Sequence, residues 1–308
     1  MVHRCAPGHF SGSSRKYADR VVLVVLPTCA KIATVEDLHT LALAQVSKAM
    51  GTAPLTHEVL GQWTVLGWPD TDSTNSRAMS ALRSAPKGSL DHFVLHVNHQ
   101  TSGRGQQQRT WTATPEDLAM TLILEQKLPA SAPFSLNLAV SLAVVEAIED
   151  VIPEIQSKDL LIKWPNDIML KGSKAGGILI ENSWRGNAWS SAVIGIGLNL
   201  SGHAPFPNAT RLLHDGRPPG NTGATLRRAI LLHAGRRLSE MEHPESLLRH
   251  YHQRLFGWGQ PQRWQLDGQE VRGVLESIDI EGRLCVNSKG TQQCFAPGEV
   301  GWLGLEPL

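Results

Sequence analysis

The sequence predicts interspersed strands and helices that end in a small antiparallel β-barrel. Short apolar runs such as Phe93 to Val97 and Leu118 to Leu124 have the length of buried strands. Phe134 to Val151 instead places Leu138, Leu142, Val145 and Ile148 at helical spacing. Beyond Gly257 the chain changes character. There Trp264, Val271, Val274, Leu275, Ile278, Ile280, Leu284, Val286 and Phe295 fall in short runs, punctuated by Asp267-Gly268, Glu281-Gly282, Lys289-Gly290 and Pro297-Gly298. Such dipeptides favour the tight turns between adjacent antiparallel strands.

Taken in order, Thr34 is placed to cap a helix over Val35 to Met50, with Asp37 three residues on, apolar Leu38, Leu41, Ala42 and Val46, and Gly51 as its stop. Val59 to Leu66 reads as one strand leading into the polar turn Asp70 to Asn75, and Ser76 to Ser84 suits a short helix. The strand at Phe93 feeds a loop from Asn98 to Thr110. Pro153 closes the helix over Phe134 to Val151. Leu160 to Lys163 and Ile178 to Ile180 flank a polar hairpin whose turn formers are Pro165, Asn166, Asp167, Gly172 and Ser173. Ala192 to Leu200, with alternating glycines, suits a central strand close to a ligand. Gly202 to Gly223 reads as a long surface loop, and Thr225 to Phe256 as one or two helices broken near His243-Pro244.

A chain of 308 residues has room for one large domain with an appendage, or for two to three modest ones. Its 41% hydrophobic and 19% charged content, with a net charge of +1, is ordinary for a soluble protein and lacks the basic field that binds a phosphate backbone. No apolar run is long enough to span a bilayer. Cys5, Cys29, Cys285 and Cys294 lie in no metal-ligand spacing, so neither zinc nor a disulfide framework is expected, and a reducing, cytoplasmic setting fits. The start offers an alternative. Arg4, Arg15 and Lys16 precede the first acid, Asp19, and the run Val21 to Leu26 follows, as in an organelle-targeting segment; an unstructured start is the simpler reading. The thirteen histidines form no catalytic grouping.

The chemistry is concentrated in three places. Lys163 to Glu181, KWPNDIMLKGSKAGGILIE, sets two cations, Lys163 and Lys174, beside turn residues and the Gly176-Gly177 pair, which lets backbone approach a ligand. An ordinary polar hairpin is the alternative. Gln100 to Trp111, QTSGRGQQQRTW, is a glycine-rich loop with two arginines that can wrap an anion, although Gly-Arg-Gly alone is common in surface loops. Ser73-Thr74-Asn75 is by itself a helix N-cap signal. Trp164 reads as a core aromatic.

Together and in this order, the three segments resemble the catalytic domain of biotin protein ligases, which carries STN, GRGRRGRxW and KWPND-K-GG/AGI elements. The resemblance covers roughly residues 60 to 256. It implies an α+β fold, a mixed sheet flanked by helices of the class II synthetase-like type, with an SH3-like β-barrel after it. The expected organisation is a one-helix N-terminal extension over 1–56, a catalytic domain over 57–256 and the barrel over 257–308.

The activity it implies is ATP-dependent formation of biotinyl-adenylate and transfer of biotin to a lysine of a carboxylase biotin-carrier domain, with ATP, Mg²⁺ and biotin as reactants. By the same resemblance Ser73, Thr74, Asn75 and Gln100 meet the biotin head group. Gly103, Arg104 and Gly105 cradle the carboxylate and phosphate, Lys174 bridges the two, and Gly176 and Gly177 belong to the biotin-binding set. Arg109, Trp111, Lys163, Asn166 and Asn199 serve the nucleotide, and Asn166 and Asp167 are the Mg²⁺-side oxygens. Two anions must meet in this reaction, so fixed cations such as Lys174 and Arg104 are what the chemistry asks for.

Two features depart from the family pattern. Gln106-Gln107-Gln108 stands where two cations and a glycine are usual, and neutral donors hold phosphate less strongly. Residues 1–56 show one helix where ligases that double as repressors carry a winged helix-turn-helix, so DNA binding is not expected. A homodimer is compatible with the family. The competing readings are a ligase for lipoate or another carboxylic acid, and a catalytically weak biotin or adenylate sensor.

Overall fold

A computed structural model describes residues 35–106, 109–125, 133–201, 208–213 and 221–305. The Thr34 cap, the basic start, Gln107 and Gln108, and most of the loop expected over Gly202 to Gly223 lie outside the described residues.

Helix α1 (Val35–Met50) has the predicted bounds, and its buried Ala42 and Val46 pack toward α2 (Thr74–Ser84). The single strand expected over Val59 to Leu66 is instead a hairpin of β1 (Thr56–Leu60) and β2 (Trp63–Thr71). Gly61, at φ 59°, supplies the left-handed backbone of the turn.

The main sheet continues with β3 (Phe93–Arg104), β4 (Thr110–Ala113), β5 (Leu118–Leu124), β6 (Leu160–Lys163), β7 (Asp167–Leu170), β8 (Ser173–Arg185) and β9 (Ala188–Leu198). Its order is β1-β2-β3-β5-β9-β8-β7-β6, with β4 paired to β3. Only β2 and β3 run parallel, joined through α2, so the sheet is mixed as expected. The single polar hairpin read between Leu160 and Ile180 is a three-strand meander, β6-β7-β8.

One face of the sheet carries α1 and α2; the other carries α3 (Phe134–Val151), α4 (Thr222–Ser239) and α5 (Pro244–Gln253). Helix α3 is apolar nearly all round because it lies between the sheet and the two later helices. Its few charges are paired. Glu149 takes Arg254 of the α5 end at 2.6 Å, and Glu146 takes Arg236 at 2.6 Å together with the buried Arg237. Burial opposes ionisation of Glu146, but Arg237 and Arg236 outweigh it and hold its pKa below the usual carboxylate range. No described helix is long and apolar enough to cross a membrane.

The C-terminal unit is an antiparallel five-stranded sheet of β10 (Pro261–Leu266), β11 (Gln269–Ile278), β12 (Leu284–Ser288), β13 (Thr291–Phe295) and β14 (Gly301–Leu305), in the order β13-β12-β11-β10-β14. Asp267-Gly268 and Lys289-Gly290 both take positive φ, the backbone of type I′ turns, as their sequence requires. The expected barrel is not closed by hydrogen bonds between its end strands, β13 and β14.

Cys285 and Cys294 are opposite each other across β12 and β13, with Cα atoms 4.1 Å apart, and form a disulfide where free thiols were expected. Cysteine usage therefore no longer argues for a reducing compartment.

Helix α5 joins the two units. The Tyr251 hydroxyl donates to the Pro165 carbonyl at 3.0 Å, and burial with the nearby Asp167 charge pushes its pKa well up. His252 Nε2 accepts the Ile278 N–H at 2.9 Å. Trp164, expected as a core aromatic, packs against the core and donates its indole N–H to the Gly282 carbonyl at 2.9 Å.

Burial and the Arg227 charge lower the His96 pKa from 6.5 to about 4, and burial lowers that of His252 as well. Both folded pKa values lie below the unfolded one. Their contribution to stability is therefore complete above about pH 6.5 and is lost as pH falls toward the folded value. From pH 7 to pH 5, His96 should cost the fold about 2 kcal/mol. Urea unfolding at the two pH values should show a smaller difference for His96→Gln than for the parent; equal differences would exclude this origin.

Candidate active site

A cavity of about 950 Å³ opens between the C-terminal sheet and the main sheet, at the end where α2 begins. Thirteen of the sixteen residues picked from the sequence line it; Gly103, Gly176 and Asn199 do not.

Its first wall follows from how α2 starts. Ser73 is the N-cap, with extended backbone at φ −155° and ψ 122°, and its hydroxyl accepts the Ser76 N–H at 3.4 Å. Asp72 fixes the approach by accepting from Ser73 N at 2.6 Å and Arg77 Nε at 2.7 Å. Burial raises the Asp72 pKa, but these partners outweigh it and bring it below the usual range. Thr74 donates its N–H to Gln100 Oε1 at 2.9 Å, and its hydroxyl lies between that oxygen, at 3.0 Å, and Thr121 Oγ1, at 2.7 Å. One orphan donor of the helix start is thereby satisfied. With that oxygen engaged, Gln100 retains its amide N–H donors for a ligand.

Asn75 is buried over Gly195 of β9, where an added Cβ would lie 2.4 Å from Asn75 Oδ1. Its oxygen accepts from Thr121 Oγ1 at 2.6 Å, and its nitrogen donates to Glu181 Oε2 at 3.0 Å. Asn75 is thus spent on protein partners and forms part of the wall. Sequence reasoning missed Thr121 and Glu181. A lone threonine in the apolar run LAMTLIL was the available signal for the first.

The glycine-rich segment is mostly strand, where a loop over Asn98 to Thr110 was expected. β3 runs on to Arg104 and pairs with β4 through a bulge between Gln100 and Gly103. A Cβ on Gly103 would lie 2.5 Å from the Trp111 carbonyl, so this glycine serves the strand pairing. Gly105 N donates to Arg109 O at 2.7 Å across the turn. Arg104 Nη2 reaches Glu181 Oε1 at 2.8 Å, and Arg109 lies exposed on the cavity lining. The Trp111 ring lies on Gly197, where a Cβ would be 2.4 Å from an indole carbon. Trp111 Nε1 is buried with no partner among the described residues.

The third wall is the β6-β7 corner, with a cis Trp164-Pro165 bond, and the start of β8. Asn166 donates its amide to the Ile178 carbonyl across the corner. A bulge between β7 and β8 inserts one residue near Ala175. Without it, Lys174 and Gly177 would face opposite sides of the strand. With it they share a face, and a Cβ on Gly177 would sit 3.4 Å from Lys174 Nζ. Gly176 points the other way, with space for a Cβ closed by Leu198 Cδ2 at 2.4 Å.

Asp167 lies between two lysines, 2.5 Å from Lys174 Nζ and 3.1 Å from Lys163 Nζ. Lys163 Nζ is 4.6 Å from the Trp302 ring centroid, and Lys174 Nζ is 5.9 Å from that of Trp111. Both oxygens of Asp167 are thus engaged by ammonium groups, so Asn166 and Asp167 do not compose a ready divalent-cation site. Among the described residues the only cluster with three potential metal-binding side chains is Asp279 with Cys285 and Cys294, and those cysteines are disulfide-bonded. Asn199 ties the following segment to β8: its amide donates to Thr210 O at 3.0 Å, and Lys174 N donates to Asn208 O at 2.9 Å. It is a scaffold residue in this geometry.

The cavity therefore combines polar groups at one end, a flat indole wall, and Lys163, Lys174, Arg104 and Arg109 around the middle. Such a site suits two anionic groups and a planar ring. Residues 69–199 match the model of the Biotin/lipoate A/B protein ligase family. The biotin–[acetyl-CoA-carboxylase] ligase of Mycobacterium tuberculosis is 31% identical over 236 residues, covering 75% of this chain and 85% of the relative. That of Paracoccus denitrificans is 36% identical over 157 residues, 50% of this chain and 62% of the relative. The Aquifex aeolicus biotin protein ligase in complex with biotin and ATP superimposes with a TM-score of 0.63 at 21% identity, over 78% of this chain and 98% of that one, a likeness of fold.

Proposed function

Because this chain belongs to the biotin protein ligase family, we propose that it activates biotin with ATP and transfers it to a lysine of a carboxylase carrier domain. The observation that carries the site assignment is the bulge that turns Lys174 onto the face of Gly177, beside Lys163 and Asp167. A carboxylate oxygen of biotin attacks the α-phosphorus of ATP, the bond to the β-phosphate oxygen breaks, and pyrophosphate leaves. The carrier lysine then attacks the acyl carbon and AMP departs.

Lys174 and Arg104 offset the repulsion between the two anions and the charge that builds on the transferring phosphoryl group. Ser73 and the Gln100 amide hold the polar head of biotin, Trp111 borders the adenine, and Arg109 and Lys163 face the phosphates. Mg²⁺ would enter with ATP as its counter-ion. Lysines moving from Asp167 to phosphate oxygens would keep their charge compensated.

Intact-mass measurement of a carrier domain after incubation with ATP, Mg²⁺ and either biotin or lipoate tests this. One biotinyl adduct, absent with lipoate, is expected; a lipoyl adduct instead would establish the alternative acid. The KWPND corner and the C-terminal sheet favour biotin.

Gln106 borders both this cavity and a smaller adjoining one. A neutral residue there holds a phosphate less firmly than a charged one. Gln106→Arg should therefore reduce stray labelling of bystander lysines by escaped adenylate, read by streptavidin blot at equal turnover. Equal bystander labelling would exclude this role for Gln106.

A further inference from the structure

Strand β8 turns Gly177, Leu179 and Glu181 to one face, paired with Gly197, Gly195 and Val193 of β9. Glu181 ends that row, and its two partners, Arg104 and Asn75, line the cavity. Oε1 takes Arg104 Nη2 at 2.8 Å, and Oε2 takes Asn75 Nδ2 at 3.0 Å. The Thr121 hydroxyl donates to Asn75 Oδ1 at 2.6 Å and meets the Thr74 hydroxyl at 2.7 Å, and the Thr74 backbone N–H donates to Gln100 Oε1 at 2.9 Å. One unbroken chain thus joins the exposed arginine of the glycine-rich segment to the buried glutamine at the polar end of the cavity.

By charge alone, Glu181 is an obstacle. A carboxylate beside a site for two anions repels both, and its removal should tighten their binding. The geometry points to the opposite outcome: we propose that Glu181 is a positioning residue that aims Arg104 at the biotin carboxylate and fixes Asn75, so that Gln100 presents its donors to the head group. This rests on the proposed function. Glu181 contacts only one terminal nitrogen of Arg104, which leaves the other donors of the guanidinium for a ligand. The Arg104 side chain is 49% exposed, so the ion pair contributes little to stability and its loss should not unfold the chain. Its effect belongs to orientation.

The test is the initial rate of pyrophosphate release, with biotin and ATP varied separately, for the parent, Glu181→Gln, Glu181→Ala, Arg104→Ala and the Arg104→Ala/Glu181→Ala pair. Glu181→Ala should raise the KM for biotin about tenfold, the size of one hydrogen bond to a charged group, with the unfolding midpoint unchanged. Glu181→Gln keeps one acceptor oxygen where the carboxylate has two, and should fall between. In the Arg104→Ala background, Glu181→Ala should have a much smaller effect, because part of its action runs through the missing arginine. A lowered or unchanged KM for biotin in either Glu181 variant would overturn the proposal. So would an undiminished effect without Arg104, or a lowered midpoint with unchanged KM. A parent enzyme that releases no pyrophosphate with biotin would instead refute the function itself, before any variant is compared.

Discussion

Lys174→Ala is expected to lower biotin-dependent pyrophosphate release by about 10²- to 10³-fold, the usual cost of removing a fixed group that meets developing charge. Lys174 faces the cavity only because β8 carries one extra residue, Ala175, in its pairing with β7, and its backbone is held by Asn208 and Thr210. The Lys174 side chain is 26% exposed and paired with Asp167, which keeps a second partner in Lys163. Removing Lys174 therefore leaves no isolated buried charge, and the thermal midpoint should move little. Lys174→Arg keeps the charge but spreads it over a planar group, so it should restore nucleotide binding more than rate. Retention of more than a tenth of the parent rate by Lys174→Ala would remove Lys174 from the reaction.

Gly197→Ala should be the most damaging single methyl in the site. Its Cβ would fall 2.4 to 2.7 Å from three atoms of the Trp111 indole, inside any tolerable contact, and the central strand β9 cannot retreat. The ring must move. Overpacking of this kind costs about 1–3 kcal/mol, and the displaced indole would leave the position proposed for it beside the adenine. A raised KM for ATP and a lower urea midpoint are expected together. Adding Trp111→Ala to Gly197→Ala should recover part of the stability, since the methyl then has room, but not ATP binding. No recovery of the midpoint in the double variant would show that the strain lies elsewhere.

How far the sequence disclosed this molecule depends on what fixes each feature. Helix α1 and strands β5 and β6 take their bounds from apolar runs and the residues that interrupt them, which are local and legible. Strand β3 extends into an apparent loop because β4 returns alongside it, a fact of pairing rather than composition. The three motifs could be placed in one site because together and in this order they resemble the catalytic domain of biotin protein ligases. Glu181 and Thr121 could not, since their roles arise only when β5, β9 and β8 lie side by side, with Thr121 opposite Gly195 and Gly195 opposite Leu179. Asp167 was legible as an acid, not as the partner of two lysines. The cysteine pair was within reach. A two-residue turn at Lys289-Gly290 puts Ser288 opposite Thr291, and counting back along both strands puts Cys285 opposite Cys294.

The C-terminal sheet bears on what happens between the two half-reactions. Trp302 covers Lys163, and Trp164 is anchored to Gly282, so the appended unit closes one side of the chamber in which a mixed anhydride must wait for its acceptor. A chain ending near Gly257 would leave that chamber as an open trough. Bulk water would then compete with the carrier lysine for the acyl carbon, and ATP would be consumed in futile hydrolysis of activated biotin.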